Sequence, residues 1–364
     1  MDFDRAARLA KVRLRMASAS LDALLISERE NVYYFSGFTG GESLLLVTGE
    51  RAFLVTDFRY RQQAEEELAA GCEPRPRSSA SAAAAVAALV RAEKIRRFGF
   101  EEENLSRAAH GRLEAKLSGE KMIAAGILIS GPRMVKEPGE IDLIRSAGER
   151  TVRILSRFRE AIRPGITEDA SARRLAAAFY RAGGEPAFDP IVAAGSHSSH
   201  PHAVPSARRL ERKGICLLDL GGRWNYYNCD LTRTLVGGGY PRRFKTVYRA
   251  VLSAQRRAIR AVRPGRRASE IDSRARDYLD ERGLGEYFGH GLGHGVGLSV
   301  HERPALNRRS EEILQVGMVF TVEPGVYIPG WGGVRIEDTV LVTEDGCRAL
   351  TPAPKSLESC RLEW

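Results

Sequence analysis

A short internal repeat constrains the fold of this chain more than any other feature of its sequence. Residues 161–165 read Ala-Ile-Arg-Pro-Gly, and residues 261–265 read Ala-Val-Arg-Pro-Gly. A long basic amphipathic helix is predicted before each copy, and a second helix after each, over residues 168–181 and 268–282. Strands rich in glycine and acidic residues follow in turn. The pattern indicates two similar α+β halves that face each other across a pseudo-twofold axis, with a site between them.

The chain before this duplicated part alternates short apolar runs with helical stretches. Three apolar runs predict strands, at residues 22–27, 43–48 and 52–56. The last two are separated by Gly49-Glu50-Arg51, which suits the turn of a hairpin. Two stretches predict helices, at residues 57–68 and 81–93. Together these elements predict a small α/β domain.

A domain boundary is predicted near residue 130. Ser130-Gly131-Pro132-Arg133 combines turn-forming residues, and Pro138-Gly139-Glu140 then begins a new helix. A length of 364 residues suits two domains, because a domain commonly holds about 100–200 residues. The sequence therefore predicts an N-terminal domain over residues 1–130 and an α+β domain over residues 131–364.

Charge and cysteine content narrow the class of protein. A net charge of +10 raises the question of a nucleic-acid partner. The arginines are interleaved with glutamates along helical segments and no RNA-binding or zinc-finger motif occurs, so no nucleic-acid partner is predicted. Five widely spaced cysteines without a CxxC pair argue against a disulfide framework. The N-terminus is charged and lacks the apolar run of a signal peptide, and no apolar run is long enough to span a bilayer, so a cytoplasmic protein is expected.

Histidines and acidic residues of the second half carry the chemical signal. Six of the seven histidines lie between positions 197 and 301, a clustering that points to metal or proton chemistry. These are His197, His200, His202, His290, His294 and His301. Four acids lie beside or inside apolar runs, where a carboxylate is costly unless it is paired or bound to a metal: Asp219, Asp230, Glu323 and Glu337. Isolated salt bridges are the competing interpretation, and they explain four such acids less well than one site that includes His294.

The run from residue 289 to 297 has glycine at every second position and contains His290 and His294. Glycine leaves the backbone open to a ligand or a substrate. The spacing of a dinucleotide-binding loop is not met, no G-x-S-x-G occurs, and residues 301–305 lack the second histidine of H-E-x-x-H. One imidazole and four carboxylates form an oxygen-rich set that suits two divalent ions, Mn²⁺ first, with Co²⁺ or Zn²⁺ as alternatives.

Ordered motifs over nearly the whole chain resemble the pita-bread metallopeptidases, specifically the proline peptidases Xaa-Pro aminopeptidase and prolidase. The matching segments of the second half are Pro201-His202, Leu218-Asp219-Leu220-Gly221, Asp230-Leu231-Thr232-Arg233-Thr234, residues 290–302, Glu323-Pro324-Gly325 and Val334-Arg335-Ile336-Glu337-Asp338. Residues 31–40 and 54–60 resemble the creatinase/prolidase N-terminal domain. The resemblance implies a small N-terminal domain followed by a catalytic pita-bread domain.

The resemblance also implies five ligands for two divalent ions: Asp219, Asp230, His294, Glu323 and Glu337. Asp230 and Glu337 would bridge the ions, and Glu323 would accept a proton from the attacking water and pass it to the proline nitrogen. All five positions are filled, which favours an active metallohydrolase.

The remaining roles implied by the resemblance belong to residues outside the ligand set. His202 and His301 would contact the substrate and stabilise the transition state. His290 and Arg335 would be substrate-binding residues, with His290 near the proline pocket. Arg335 would lie beside a ligand carboxylate, and its spacing on the strand predicts Glu337 as the partner. His197 and His200 stand where the family usually has small or polar residues. His202 is favoured over both because it directly follows Pro201, and whether either of them assists His202 is open.

The activity implied is hydrolysis, by a metal-bridging hydroxide, of the bond between an N-terminal residue and proline. An Xaa-Pro aminopeptidase is preferred because no inserted segment between residues 299 and 312 is long enough to close the pocket against longer peptides. An Xaa-Pro dipeptidase, or prolidase, is the alternative. A non-catalytic binding protein that reuses the fold is the alternative of another class. The expected partner is a peptide with proline at the second position, with no membrane contact, and a homodimer is expected.

Overall fold

The computed structural model describes residues 3–77 and 81–363. By its contacts the chain divides into two compact units, Met1–Arg133 and Met134–Trp364. In the two described ranges, no helix combines the length and the apolar character needed to cross a membrane. All five cysteines are free thiols.

The first unit is built on one mixed sheet. Its strands are β1 (Ala23–Ile26), β2 (Leu44–Thr48), β3 (Ala52–Asp57), β4 (Cys72–Arg77), β5 (Arg97–Phe100) and β6 (Lys121–Ala124), in the order β4-β3-β2-β1-β5-β6. β2 runs antiparallel to both β1 and β3, and the outer pairs are parallel. The helices are α1 (Arg5–Ser18), α2 (Arg29–Ser36), α3 (Arg61–Glu67), α4 (Ala82–Ala92), α5 (Arg107–Glu114) and α6 (Gly126–Ser130). The predicted small α/β domain is therefore confirmed.

The three strands predicted for this unit are confirmed to within one residue at each end. The helix predicted over residues 57–68 begins later than expected. Asp57 ends β3, and its side chain accepts a hydrogen bond from the backbone N–H of Arg59. A short 3-10 turn follows before α3 begins at Arg61. The apolar pattern did not reveal this turn because a capping aspartate looks like any acidic residue in a helical run.

The second unit holds four long helices and twelve short strands among the described residues. The helices are α7 (Pro138–Ala161), α8 (Glu168–Arg181), α9 (Arg242–Ala261) and α10 (Ala268–Asp280). The strands are β7 (Glu185–Pro186), β8 (Ile191–Ala194), β9 (Ile215–Trp224), β10 (Tyr227–Gly237), β11 (Gly293–Gly295), β12 (Glu302–Leu306), β13 (Val319–Val322), β14 (Gly325–Ile328), β15 (Gly332–Arg335), β16 (Asp338–Val342), β17 (Cys347–Ala349) and β18 (Arg361–Leu362). One sheet has the order β18-β10-β9-β7, with β8 also paired to β9, and a second has the order β12-β11-β13-β16-β17. β14 and β15 form a separate two-stranded ribbon.

The internal repeat of the sequence is also a repeat of hydrogen bonds. The N–H of Gly165 donates to the carbonyl of Leu210, and the N–H of Gly265 donates to the carbonyl of Leu314, each at 2.8 Å. The two glycines have φ angles of 87° and 84°, in the left-handed region that favours glycine. A matching antiparallel bridge follows in each copy, between Thr167 and Arg209 and between Arg267 and Ile313. The two halves therefore share one local architecture, as the repeat predicts.

Each helix pair packs against one sheet. Leu175 of α8 and Leu218 of β9 are fully buried in one apolar cluster, together with residues of α7 and β10. Val251 of α9 and Phe320 of β13 are fully buried in a second cluster, together with residues of α10 and β16. Burial of these apolar side chains is the main force that stabilises each half. The other strand faces are left for polar side chains.

The packing predicts that Phe179→Ala lowers the free energy of unfolding of this unit by about 3–5 kcal/mol, because a fully buried aromatic ring would be replaced by a cavity. Urea unfolding followed by tryptophan fluorescence measures the effect. All three tryptophans, at positions 224, 331 and 364, belong to the second unit, so the signal reports on it alone.

Tyr180→Ala is the matched control. It removes an aromatic ring from the next position of α8, where the side chain is 65% exposed. Its effect is expected to stay within about 0.5 kcal/mol, as for most surface substitutions. Equal losses for the two variants would contradict the assignment of Phe179 to the core.

Candidate metal centre

Two neighbouring strands place two carboxylates on one face of the first sheet. β9 and β10 are antiparallel, and Asp219 lies directly opposite Thr232, two residues along β10 from Asp230. Side chains two residues apart on a strand share a face, as do cross-strand partners. In the sequence, Asp219 ends one apolar run and Asp230 opens another. Both lie inside strands, because β9 continues to Trp224 and β10 already begins at Tyr227.

The second sheet contributes one imidazole and two carboxylates. His294 is the middle residue of β11, Glu323 follows β13 directly, and Glu337 precedes β16. Glu337 lies inside the mainly apolar run of residues 334–342. Ile336 and Glu337 nevertheless belong to no strand, and they separate β15 from β16. The backbone N–H of Glu337 donates to the carbonyl of Thr232 at 3.2 Å instead of continuing a ladder within its own sheet. This bond brings Glu337 to the two aspartates of the first sheet.

The alternating glycines around His294 serve the packing of the sheet. A Cβ atom on Gly293 would lie 2.0 Å from the carbonyl oxygen of Thr321, and one on Gly295 would lie 2.1 Å from that of Arg303. These oxygens belong to the neighbouring strands β13 and β12. The sequence pattern was attributed to the approach of a ligand. At these two positions the close neighbour is protein backbone.

Five side chains line one cavity of about 520 Å³: Asp219, Asp230, His294, Glu323 and Glu337. The Nε2 atom of His294 lies 3.3 Å from Oε1 of Glu323 and 3.8 Å from Oδ2 of Asp230. Three possible ligand atoms lie within 4.8 Å of one another, one each from Asp230, His294 and Glu337. This is close to the separation of two ligand atoms on opposite sides of an ion bound at about 2.1 Å.

The imidazole of His294 is oriented by its own backbone neighbour. Its Nδ1 lies 3.1 Å from the carbonyl oxygen of Gly295, which can only accept, so Nδ1 carries a hydrogen. Nε2 therefore faces the carboxylates and becomes a lone-pair donor when the ring is neutral. Burial lowers the pKa of His294, but the hydrogen bond and charge of Glu323 outweigh burial and raise it. The Nε2 atom that this proton would occupy is the atom that would bind a metal.

Two buried carboxylate oxygens, Oδ1 of Asp219 and Oε1 of Glu337, have no hydrogen-bond partner among the described residues. The other oxygen of each group is bonded. Arg335 donates to Oδ2 of Asp219 at 2.7 Å, and the Thr232 hydroxyl donates to Oε2 of Glu337 at 2.6 Å. A buried anionic oxygen without a partner is costly. A divalent cation in the cavity would satisfy both oxygens, so the residues present fit a metal.

Crowding of the carboxylates shifts their protonation. Burial, followed by the charge of Glu337, raises the pKa of Asp230 well above its usual range. Burial, followed by the charges of Glu323 and Asp219, does the same to the pKa of Glu337. Burial also raises the pKa of Glu323, but the hydrogen bond with His294 outweighs it and the net pKa falls to about 2. Added positive charge in the cavity would lower the pKa of both acids and favour their ionised form.

Arg335 pairs with Asp219, and the prediction that its partner is Glu337 was wrong. Because the strand breaks at Ile336, Arg335 and Glu337 do not stand on one regular strand face. Four hydrogen bonds use four of the five guanidinium N–H donors. The acceptors are Thr232 Oγ1 at 3.0 Å, Tyr327 Oη at 2.7 Å, Pro201 O at 3.2 Å and Asp219 Oδ2 at 2.7 Å.

Tyr327 connects Arg335 to His290 and was not among the predicted site residues. Because the guanidinium can only donate to Tyr327 Oη, the hydroxyl hydrogen points to Nε2 of His290, 3.0 Å away. Nδ1 of His290 donates to the carbonyl of Gly291 at 2.8 Å. Burial lowers the pKa of His290, which keeps the ring neutral. His290 therefore offers the cavity a ring surface. A tyrosine within an apolar strand was the available signal, because a buried hydroxyl needs a partner.

His202 and His301 are exposed and lie in the cavity wall. The ring of His301 packs edge-on against His294, with centroids 4.1 Å apart. Burial, followed by the charge of His294, lowers the pKa of His301. The described wall of this cavity does not include His197 or His200. Of the three histidines between positions 197 and 202, His202 is therefore the one that reaches it.

Comparison with known protein families matches both parts of the chain. Residues 142–344 match the model described as metallopeptidase family M24, and residues 8–135 match the creatinase/prolidase N-terminal domain. An Xaa-Pro dipeptidase of Pyrococcus furiosus is 37% identical over 352 residues, which cover 96% of this chain and 99% of that protein. These matches confirm the resemblance predicted from the motifs.

Solved structures agree with the sequence comparison. An Xaa-Pro dipeptidase from Bacillus anthracis superposes with a TM-score of 0.93 and 35% identity, covering 97% of this chain and 99% of that one. An X-Pro aminopeptidase from Thermotoga maritima superposes with a TM-score of 0.85 and 37% identity, covering 94% and 99%. Enzymes named for two related activities thus share this fold over nearly their whole length.

Replacing Glu337 by glutamine tests the cation site directly. The amide has no negative charge, so the affinity for Mn²⁺, measured by calorimetry, should fall by at least about tenfold. Loss of a residue that only supports a metal ligand already lowers metal affinity by about tenfold or more, and loss of a ligand itself should cost no less. Glu311→Gln makes the same chemical change at an exposed position and should bind as the parent chain does. Equal Mn²⁺ affinity for all three proteins would rule out Glu337 as a ligand.

Proposed function

The chain belongs to metallopeptidase family M24, and from this premise we propose that it hydrolyses the peptide bond between an N-terminal residue and a following proline. One observation carries the proposal: four carboxylates and an imidazole line one cavity, and two of the carboxylate oxygens are buried without a partner among the described residues. Such a site suits metal-assisted hydrolysis. The proline preference is supported by relatives that are named for it.

We assign two divalent ions to the five residues Asp219, Asp230, His294, Glu323 and Glu337. Four carboxylates carry enough charge for two such ions, and hard oxygen donors favour Mn²⁺, with Co²⁺ or Zn²⁺ as alternatives. When bound, divalent ions lower the pKa of water toward about 7, supply a nucleophile at neutral pH and polarise the substrate carbonyl. Thr232 and Arg335 hold Glu337 and Asp219 ready for this role, because each bonds one oxygen of its acid and leaves the other free.

Glu323 is assigned as the group that takes the proton of the attacking water and returns it to the proline nitrogen. Its carboxylate is ionised and is held by the hydroxyl of Thr321 at 3.0 Å. Its pKa of about 2 depends on the hydrogen bond with a charged His294. A histidine that binds a metal must be neutral, so in the loaded site the positive charge beside Glu323 would come from the ions and no longer from His294.

His202 and His301 are assigned to stabilise the negative charge that develops on the carbonyl oxygen. Both are exposed in the cavity wall, so they can meet a substrate without leaving a buried position. Donors placed at the developing oxyanion act mainly on kcat, because they bond more strongly to the transition state than to the substrate.

Another part of the cavity lining is assigned to the proline ring. Phe188 and Ile191 line the cavity together with the ring surface of His290. These surfaces suit an apolar five-membered ring.

Arg335 is now assigned to position Asp219, Tyr327 and the Pro201 carbonyl, since four of its donors are already bonded to protein. The homodimer and the cytoplasmic location stay predictions from the sequence.

Alanine substitution of His202 or His301 is expected to lower kcat by about a hundredfold or more, as for other donors to a developing oxyanion. Metal content, measured by atomic emission on the purified variants, should not change. His200→Ala is the control, because His200 is exposed and outside the described cavity wall. A larger loss for His200→Ala than for His202→Ala would transfer the role to His200.

Peptide length separates two candidate activities. A strict dipeptidase needs a cation to read the carboxylate of the proline residue, and the arginine of the described cavity wall, Arg335, is already committed to protein acceptors. An Xaa-Pro aminopeptidase is therefore preferred. The dipeptidase is the second candidate, because the relatives from Pyrococcus furiosus and Bacillus anthracis carry that name.

With Mn²⁺ present, kcat/KM for Ala-Pro-Ala should equal or exceed that for Ala-Pro, because the described cavity wall offers the dipeptide carboxylate no arginine or lysine besides Arg335. Ala-Ala-Ala is the control for proline preference and should be cleaved poorly. A preference of at least about tenfold for the dipeptide, equivalent to 1.4 kcal/mol, would reverse the choice in favour of a dipeptidase.

A further inference from the structure

One buried carboxylate accepts hydrogen bonds from both ends of the segment 194–206, which carries His202. Glu168, at the start of α8, is fully buried. Its Oε1 accepts a hydrogen bond from the backbone N–H of Ala194 at 2.7 Å. Its Oε2 accepts from the backbone N–H of Ser206 at 3.0 Å and from the Ser206 hydroxyl at 2.7 Å. The two ends of the segment are therefore held by the same side chain.

His197 lies inside the segment and is the fourth donor to this carboxylate. Its Nδ1 lies 2.9 Å from each oxygen of Glu168. Because an ionised carboxylate only accepts, Nδ1 of His197 carries the hydrogen. The ring of His197 packs edge-on against His200, with centroids 5.3 Å apart. Glu168 and its partners Ala194, His197 and Ser206 are called here the Glu168 clasp.

The middle of the segment is fixed to the ribbon strand β15. The hydroxyl of Ser198 accepts from the backbone N–H of Gly333 at 2.8 Å. The carbonyl of Pro201 accepts from Arg335 at 3.2 Å. With both ends in the clasp and its middle on β15, the segment presents the exposed ring of His202 to the cavity wall.

We propose that Glu168 and His197 are positioning residues for His202, which set where its ring stands without touching the substrate themselves. The contacts of the clasp are with the backbone and side chains of the segment, and none of its members lines the cavity in the described part of the chain. A displacement of about 1 Å can cost a catalytic group a factor of about 100 in rate. This inference rests on the proposed function, because it takes His202 to act on the transition state.

Two substitutions at position 197 separate positioning from simple packing. His197→Phe keeps a ring against His200 but loses the donor to Glu168. His197→Asn places an amide N–H near the position of Nδ1 and restores the donor. We expect His197→Phe to lower kcat by about tenfold or more while KM changes by less than about twofold. Loss of the hydrogen bond to Glu168 would displace the ring of His202, and that ring acts mainly in the transition state. His197→Asn should recover most of the lost kcat.

The same substitution in a His202→Ala background supplies the decisive readout. If His197 acts through His202, His197→Phe should cause no further loss of kcat once His202 is gone. An equal fold-loss in both backgrounds, or a failure of asparagine to restore kcat, would overturn the positioning role. Metal content is measured on every variant, and loss of metal from His197→Phe would also count against it.

Ser206→Ala is a second test of the Glu168 clasp, for use if the variants at position 197 do not fold. It removes one donor of the clasp and leaves the backbone N–H bond, so a smaller loss of kcat with the same dependence on His202 is expected. A parent-like kcat for both Ser206→Ala and His197→Phe, with His202→Ala slow, overturns the clasp alone. A parent-like kcat for His202→Ala overturns the role proposed for His202, and the clasp with it.

Discussion

An excess of buried negative charge is the constraint around which the second unit is organised. The described wall of the cavity brings four carboxylates together against one arginine. Much of the surrounding structure supplies what these acids need. Arg335 neutralises Asp219, Thr232 donates to Glu337, and Thr321 donates to Glu323. The remaining negative charge suits cations, and the raised pKa of Asp230 and of Glu337 reflects the same excess of charge.

The duplicated architecture explains how such a site can be assembled from two separate sheets. Each helix pair covers one sheet with its own apolar cluster, so each half is stabilised without help from the polar residues. The two sheets then contribute different groups. The first gives Asp219 and Asp230 from one strand pair, and the second gives His294, Glu323 and Glu337 from three separate elements. The free energy of folding is supplied by the cores, which leaves the strand faces between them free for charge.

The sequence predicted the elements and the site residues better than it predicted how they connect. Apolar periodicity located β1, β2, β3 and α8, because burial of alternate or helically spaced residues leaves a direct trace. The clustering of acids and histidines located the cavity. The break at Glu337 was missed because its cause is a hydrogen bond to Thr232 in another sheet, which no local pattern records. The pairing of Arg335 with Asp219 and the hydrogen bonds of Tyr327 were missed for the same reason, because they too join residues far apart in the sequence.

The polarity of the hydrogen bonds around Arg335 has a consequence for the movement of protons. The guanidinium cannot accept a hydrogen bond, so it fixes the hydroxyl of Thr232 toward Glu337 and that of Tyr327 toward His290. Burial raises the pKa of Tyr327 to about 12, which keeps this hydroxyl protonated. Each branch then has one arrangement of hydrogens and ends at an acceptor, so it cannot be reversed. Reversing either branch would need a proton acceptor at Arg335, so neither Thr232 nor Tyr327 can relay a proton from the cavity toward the guanidinium.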